Sequence, residues 1–174
     1  MKIDGKSFRT IWINGDDELC VINQLSLPHA FEVVTLLDFD DVCNAISNMV
    51  IRGAGLIGAT AGYGMWIAAK QAPINSLESF DSHLRTQALR LQATRPTASN
   101  LAWAINRQLR RLESGLTIVE KIKLAKAEAE TIANEDAEFC RLIGRHGLKL
   151  FEDLYASNLG KTINVLTHCN AGWL

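Results

Sequence analysis

The sequence predicts a mostly helical α+β fold, in which a small antiparallel sheet leads into a helical bundle. Three observations carry this. A hairpin signature opens the chain, five helical patterns fill residues 38–155, and a lone apolar run stands at Thr162 to Thr167.

Residues Phe8 to Ile13 alternate bulky and polar positions, and Asn14-Gly15-Asp16-Asp17 reads as a turn. Leu19 to Leu25 reads as the return strand, with a third strand at Phe31 to Leu36 after Pro28. Asp38 to Asp41 reads as a helix start, since acidic residues suit the positive end of the dipole. Val42, Ile46, Met49 and Val50 carry that helix through to Ile51. Ala59 to Gln71 is apolar almost all round and reads as a buried helix ended by Pro73. Ser76 caps the next helix, Leu77 to Ala93.

Thr94-Arg95-Pro96-Thr97 breaks the pattern, because proline restricts the residue before it. A fourth helix runs from Ala98 to Glu113, with Pro96 near its first position and an inward stripe of Leu101, Ile105 and Leu109. Thr117 and Glu120 form a capping box for a long helix with the stripe Ile118, Ile122, Ala125, Ala129 and Ile132. Its pattern extends to Tyr155, with Gly144 and Gly147 allowing close contact or a bend. The polar loop Ser157 to Lys161 precedes the last strand. A lone strand cannot satisfy its backbone or bury both faces. The expected domains are therefore 1–157 and 158–174, the second being the start of a sheet whose other strands lie outside this sequence.

A composition of 48% hydrophobic and 21% charged residues is ordinary globular usage, which argues against a disordered chain. A net charge of -1 argues against a strongly basic nucleic-acid binder. No apolar run approaches the roughly 18 residues of a membrane span. The opening MKIDGKSFRT lacks the apolar segment of a secretory signal. Cys20, Cys43, Cys140 and Cys169 are widely spaced, which suits reduced thiols in a cytoplasm better than disulfides or a zinc site.

Four stretches carry candidate chemistry. Ile51 to Met65, IRGAGLIGATAGYGM, holds Gly53, Gly55, Gly58, Gly62 and Gly64 beside Arg52. Glycines this dense at a helix start suit either backbone approach to an anion or tight helix packing. Arg95, before a helix start, reads as a phosphate clamp or as an exposed loop arginine, and Trp103 reads as core. Glu135 and Asp136 are adjacent on a helix, point to different faces and make a poor acid/base dyad. One or both belong on a solvated face, and Asp136 is also placed to pair with an arginine across the bundle. Cys169 follows a strand end in LTHCNAG and reads as a reactive thiol or a structural one. His168 would point to the opposite face of an extended segment, so the two make no dyad.

Taken together, these stretches resemble the methylthioribose-1-phosphate isomerase family, which is related to the regulatory subunits of the guanine-nucleotide exchange factor of translation initiation. The family's blocks read approximately R-G-A-P-x-I-G-x-x-A-x-Y-G, R-P-T-A-x-N-L-x-W-A, E-D-x-x-x-x-x-x-I-G-x-x-G and L-T-H-C-N-x-G. Here they stand in order as RGAGLIGATAGYG, RPTASNLAWA, EDAEFCRLIGRHG and LTHCNAG. The intact cysteine block favours the isomerase branch.

The resemblance implies an N-terminal sheet and helical bundle followed by a Rossmann-like α/β domain, of which Thr162 to Thr167 is the first strand. It implies conversion of 5-methylthioribose 1-phosphate to 5-methylthioribulose 1-phosphate in methionine salvage, a cytoplasmic reaction with no metal or organic cofactor. Cys169 carries over as an acid/base residue, and Arg52, Gly53, Ala54 and Arg95 as contacts to the substrate phosphate. Partners are then a small sugar phosphate and a second copy, paired as a homodimer or through the exposed last strand, with no nucleic acid or membrane. Gly55 stands where the family usually has proline, which keeps open another pentose 1-phosphate such as 5-deoxyribose 1-phosphate. The family's catalytic aspartate belongs to the second half of its pattern, so the chain alone is expected to be inactive. A noncatalytic interaction module is the alternative.

Overall fold

The computed structural model describes residues 2, 3, 5–159 and 161–168. Two short strands, β1 (Lys2–Ile3) and β2 (Lys6–Ser7), pair antiparallel around Gly5. They precede the expected sheet, a three-stranded meander of β3 (Ile11–Ile13), β4 (Leu19–Ile22) and β5 (Val33–Leu36). Its register places Ile11 opposite Val21 and Val21 opposite Val34. The expected turn is built by Asn14, whose side-chain oxygen accepts from the Asp16 and Glu18 amides.

Helix α1 (Phe39–Ser47) starts at Asp38, which forms a reciprocal capping box with Asp41. It stops before Met49, which has φ +62, so the expected run through Ile51 is shortened. The bend turns Met49 outward and Ile51 into the core. Helix α2 (Ala54–Gln71) begins five residues ahead of expectation and is buried continuously from Leu56 to Ala69. Four glycines weaken an isolated helix by on the order of 1 kcal/mol each. Packing reverses that preference. A Cβ at Gly62 would lie 3.2 Å from Ile132 Cδ1, and one at Gly64 would lie 2.9 Å from Val42 Cγ1. Ala72, extended before Pro73, ends the helix as expected.

Helix α3 (Leu77–Thr94) is capped by Ser76, and α4 (Ser99–Leu112) starts three residues after Pro96 rather than beside it. Helix α5 (Ile118–Ser157) carries the expected Thr117–Glu120 capping box. Helix α2 is the centre of the bundle, packed by α5, α4, α1 and α3. Gln108, fully buried, donates from Nε2 to the Gly62 and Ala125 carbonyls and so ties α4 to α2 and α5. Lys121 binds both Asp81 oxygens, at 2.7 and 3.0 Å, joining α5 to α3.

The buried positions of α5 end at Ala133, and beyond it Phe139, Ile143, Leu148, Leu150 and Leu154 are exposed. Residues 161–168 form no strand. The expected strand at Thr162 to Thr167 requires a partner's ladder, and none of the described residues supplies one. No described helix is long and apolar enough to cross a membrane.

Candidate functional site at the start of α2

The approach to α2 is held by a buried loop. Gln24, fully buried, receives the Arg52 Nη2 donor on its carbonyl at 2.5 Å and donates from Nε2 to the Arg52 carbonyl at 3.3 Å. Arg52 Nε is enclosed and has no hydrogen-bond partner among the described residues. Gly53 then takes φ +96, a backbone state that favours glycine, and its carbonyl accepts from the Ile57 amide at 3.0 Å. Nothing crowds a Cβ there, so the requirement is conformational rather than steric. As N-cap, Gly53 supplies no side-chain acceptor, which leaves the first-turn amides beginning at the exposed Ala54 available to an anion.

Helix α4 meets the same end of α2. A Cβ at Gly58 would lie 3.3 Å from the Asn100 carbonyl, so the first turn of α4 rides directly on α2. Arg95, at the C-terminal cap of α3, turns the chain into this approach, its carbonyl accepting from the Ala98 amide at 3.0 Å. Its half-buried side chain has no ion pair or hydrogen bond among the described residues. The structure thus places Arg52, Gly53 and Ala54 on one segment and Arg95 on the loop that leads into α4. Cys169 lies outside the described residues.

The glycines divide between the two readings. Gly58, Gly62 and Gly64 serve close packing, and Gly53 serves the turn. Gly55 also serves close packing, because it lies inside the helix and leaves room for a side chain of α5. A Cβ there would meet Asp136 Oδ1 at 1.9 Å. A bulkier residue would displace the Asp136 carboxyl.

Asp136 does not take the arginine expected of it. Arg107 instead binds Glu135, through Nη1 and through Nη2 at 3.0 Å, and donates from Nε to Glu128 at 2.5 Å. The guanidinium holds Glu135 below the usual carboxylate range, and those carboxylates raise Arg107. Asp136 is half-buried, and burial raises its pKa against the opposing charge of Arg9.

Beside it opens a cleft of about 250 Å³ between α2, α4 and α5, lined by Gly55, Asn100, Trp103, Ile132, Glu135, Asp136 and Phe139. Trp103 is 44% exposed and carries Arg107 5.2 Å above its ring, so it forms the cleft wall rather than the expected core. Sequence reasoning missed this cleft. The available signals were the four-residue spacing of Trp103 and Arg107, and the seven-residue spacing that puts Glu128 and Glu135 on one helix face. Among the described residues no group of three or more His, Cys, Asp or Glu side chains is arranged to hold a metal.

Residues 50–174 match the initiation factor 2 subunit family. The methylthioribose-1-phosphate isomerase of Rhodospirillum centenum is 43% identical over the whole chain, and that of Methylobacterium nodulans 46%. The chain spans a little under half the length of these relatives, 45% and 46%. Among solved structures, translation initiation factor eIF-2B subunit delta from A. fulgidus aligns with TM-score 0.71 and 35% identity, over 76% of this chain and 38% of that one. The 5-methylthioribose 1-phosphate isomerase of Pyrococcus horikoshii aligns with TM-score 0.69 and 36% identity, over 75% and 37%. With the family pattern matched across the α2 start, the Arg95 loop and the whole of α5, this chain belongs to the initiation factor 2 subunit family.

Proposed function

We propose that the chain provides the substrate-holding part of an aldose–ketose isomerase acting on 5-methylthioribose 1-phosphate. The observation that carries this is the uncapped start of α2. A positive-φ glycine and open first-turn amides, next in sequence to an arginine whose Nε has no partner among the described residues, suit a phosphate. The whole-chain identity to relatives named methylthioribose-1-phosphate isomerase supports the choice of sugar.

In the proposed reaction the substrate phosphate rests on the Gly53–Ala54 backbone and is clamped by Arg52 and Arg95. The C1–ring-oxygen bond breaks as the ring oxygen takes a proton. C1 then gains a hydrogen while C2 loses one and its hydroxyl becomes a carbonyl, so no co-reactant is consumed. Cys169 is assigned acid/base work, shared with an aspartate that belongs to the second half of the family pattern.

Arg95→Ala tests the phosphate contact. Binding of 5-methylthioribose 1-phosphate, followed by calorimetry, is expected to weaken about tenfold or more, as for loss of a charge-assisted contact. In a longer protein that turns over, the same change raises KM. Unchanged affinity overturns the role. One observation favours a second reading, a noncatalytic interaction module. The far half of α5 exposes an apolar face, and a partner bound there by a chain with no affinity for sugar phosphates would favour that reading.

A further inference from the structure

The carboxyl of Asp136 lies in the same field as the proposed phosphate cradle. A Cβ on Gly55 would lie 1.9 Å from Asp136 Oδ1, 2.5 Å from Cγ and 2.6 Å from Oδ2, so the whole carboxyl group fills the space a side chain would take. Cα–Cβ bonds tilt toward a helix N-terminus, which puts that carboxyl on the Gly53–Ala54 side of the first turn of α2. Asp136 is half-buried and makes no hydrogen bond or ion pair among the described residues. The groups around it are engaged elsewhere. Arg9, ahead of β3, faces it but gives Nη1 to Asn134 Oδ1 at 2.6 Å and Nη2 to the Ala133 carbonyl at 3.1 Å. On α4, Arg107 is held by Glu128 and Glu135, and Asn100 is neutral. On α5 itself, Glu135 is taken by Arg107, and the Cys140 thiol is pushed up by burial and by the Asp136 charge. The first turn of α2, Ala54 to Ile57, holds no titratable side chain.

We propose that Asp136 couples anion binding at the α2 start to the uptake of one proton, the cradle holding an anion about tenfold more tightly when this carboxyl is neutral. The proposal rests on the phosphate reading above. The positive end of a helix favours any nearby negative charge, so a carboxylate over Gly55 and a phosphate at Gly53–Ala54 compete for one field. Gly55 is only two residues, on the order of 3 Å of helix rise, past Gly53. Two unit charges about 5 Å apart near a protein surface repel enough to change an affinity more than tenfold before salt screens them. Half-burial already disfavours the charged carboxyl, so an arriving anion tips it toward the neutral form, which takes its proton from solvent. Asp136 acts on the bound anion through its charge and touches no reacting atom, which makes it a positioning residue.

The test titrates the labelled chain, Asp136→Asn and Asp136→Ala with sulfate, reading the Gly53–Gly55 amides by NMR. Sulfate keeps one charge across roughly pH 4 to 8, so its own titration does not enter. At about pH 8 both variants are expected to bind it about tenfold more tightly than the parent, and at about pH 4 to within twofold of the parent. Protonation elsewhere in the chain strengthens anion binding equally in parent and variants, so the ratio isolates Asp136. By reciprocity, saturating sulfate should raise the midpoint of the parent's Asp136 carboxyl titration, followed by carbon NMR, by about one pH unit. A variant-to-parent ratio that stays constant across the range assigns the effect to the shape of the notch and overturns the coupling. Equal affinity of parent and variants at every pH overturns it too. In either case the amide shifts leave the phosphate site standing. Amides unmoved by sulfate and by inorganic phosphate, in parent and variants at every pH, remove the phosphate site and the coupling together.

Discussion

At Gly53 and Asp136, single backbone and side-chain choices set the character of the site. Gly53 holds φ +96 with open space around it, so alanine there meets no clash but must enter a backbone state that L-residues avoid. Gly53→Ala is expected to cost about 1–3 kcal/mol in urea unfolding and to displace the first turn of α2. A variant as stable as the parent would argue against strain at this position. Asp136 gives the opposite kind of prediction. Burial raises its folded-state pKa, so the protonated form is favoured by folding. That stabilisation is complete below the unfolded value near 3.8 and is lost as pH rises through the raised folded value. Asp136→Asn should therefore be at least as stable as the parent at pH 7, with any advantage shrinking toward pH 4. Urea midpoints across that range check the sign, and an advantage that grows toward acid overturns it.

Two helices show what sequence patterns convey and where they stop. The capping box of α5 was legible because Thr117 and Glu120 are local, and local hydrogen bonds follow from spacing alone. The burial of α2 was legible from its uniformly apolar composition. Its true start was not, because Gly55 and Gly58 depress helix propensity and the packing against Asp136 and Asn100 that offsets this is nonlocal. For the same reason Arg52, Gly53, Ala54 and Arg95 were visible as a motif, whereas the cleft was not. Its walls come from α2, α4 and α5, and no single stretch contains them. Arg107 is the element-scale link, since it fixes α5 at Glu128 and Glu135, near the end of its buried segment. Arg107→Ala leaves two carboxylates without their partner. The expected cost is roughly 1–3 kcal/mol, together with faster amide exchange around residues 128–139. Unchanged exchange there would show that α5 is held by its apolar stripe alone.

Across the whole molecule, the proposed reading separates substrate holding and acid/base chemistry along the chain. The proposed phosphate cradle lies on the start of α2 and the Arg95 loop, and the cleft opens between α2, α4 and α5. Of the aspartates close to the cysteine block, Asp136 fills the notch over Gly55, and Asp153 lies exposed on the far part of α5. General acid/base catalysis needs its groups within hydrogen-bond reach of the reacting atoms and typically supplies 10²–10⁴-fold. A chain that holds the phosphate without a positioned aspartate keeps affinity and forfeits turnover. The purified 174-residue chain is accordingly expected to bind 5-methylthioribose 1-phosphate and to leave it unchanged. Phosphorus and proton NMR of a mixture incubated with stoichiometric protein checks this, since the product differs at C1 and C2. Conversion by the chain alone would relocate the missing acid/base group to a residue within it and would make Asp136 the first candidate to substitute.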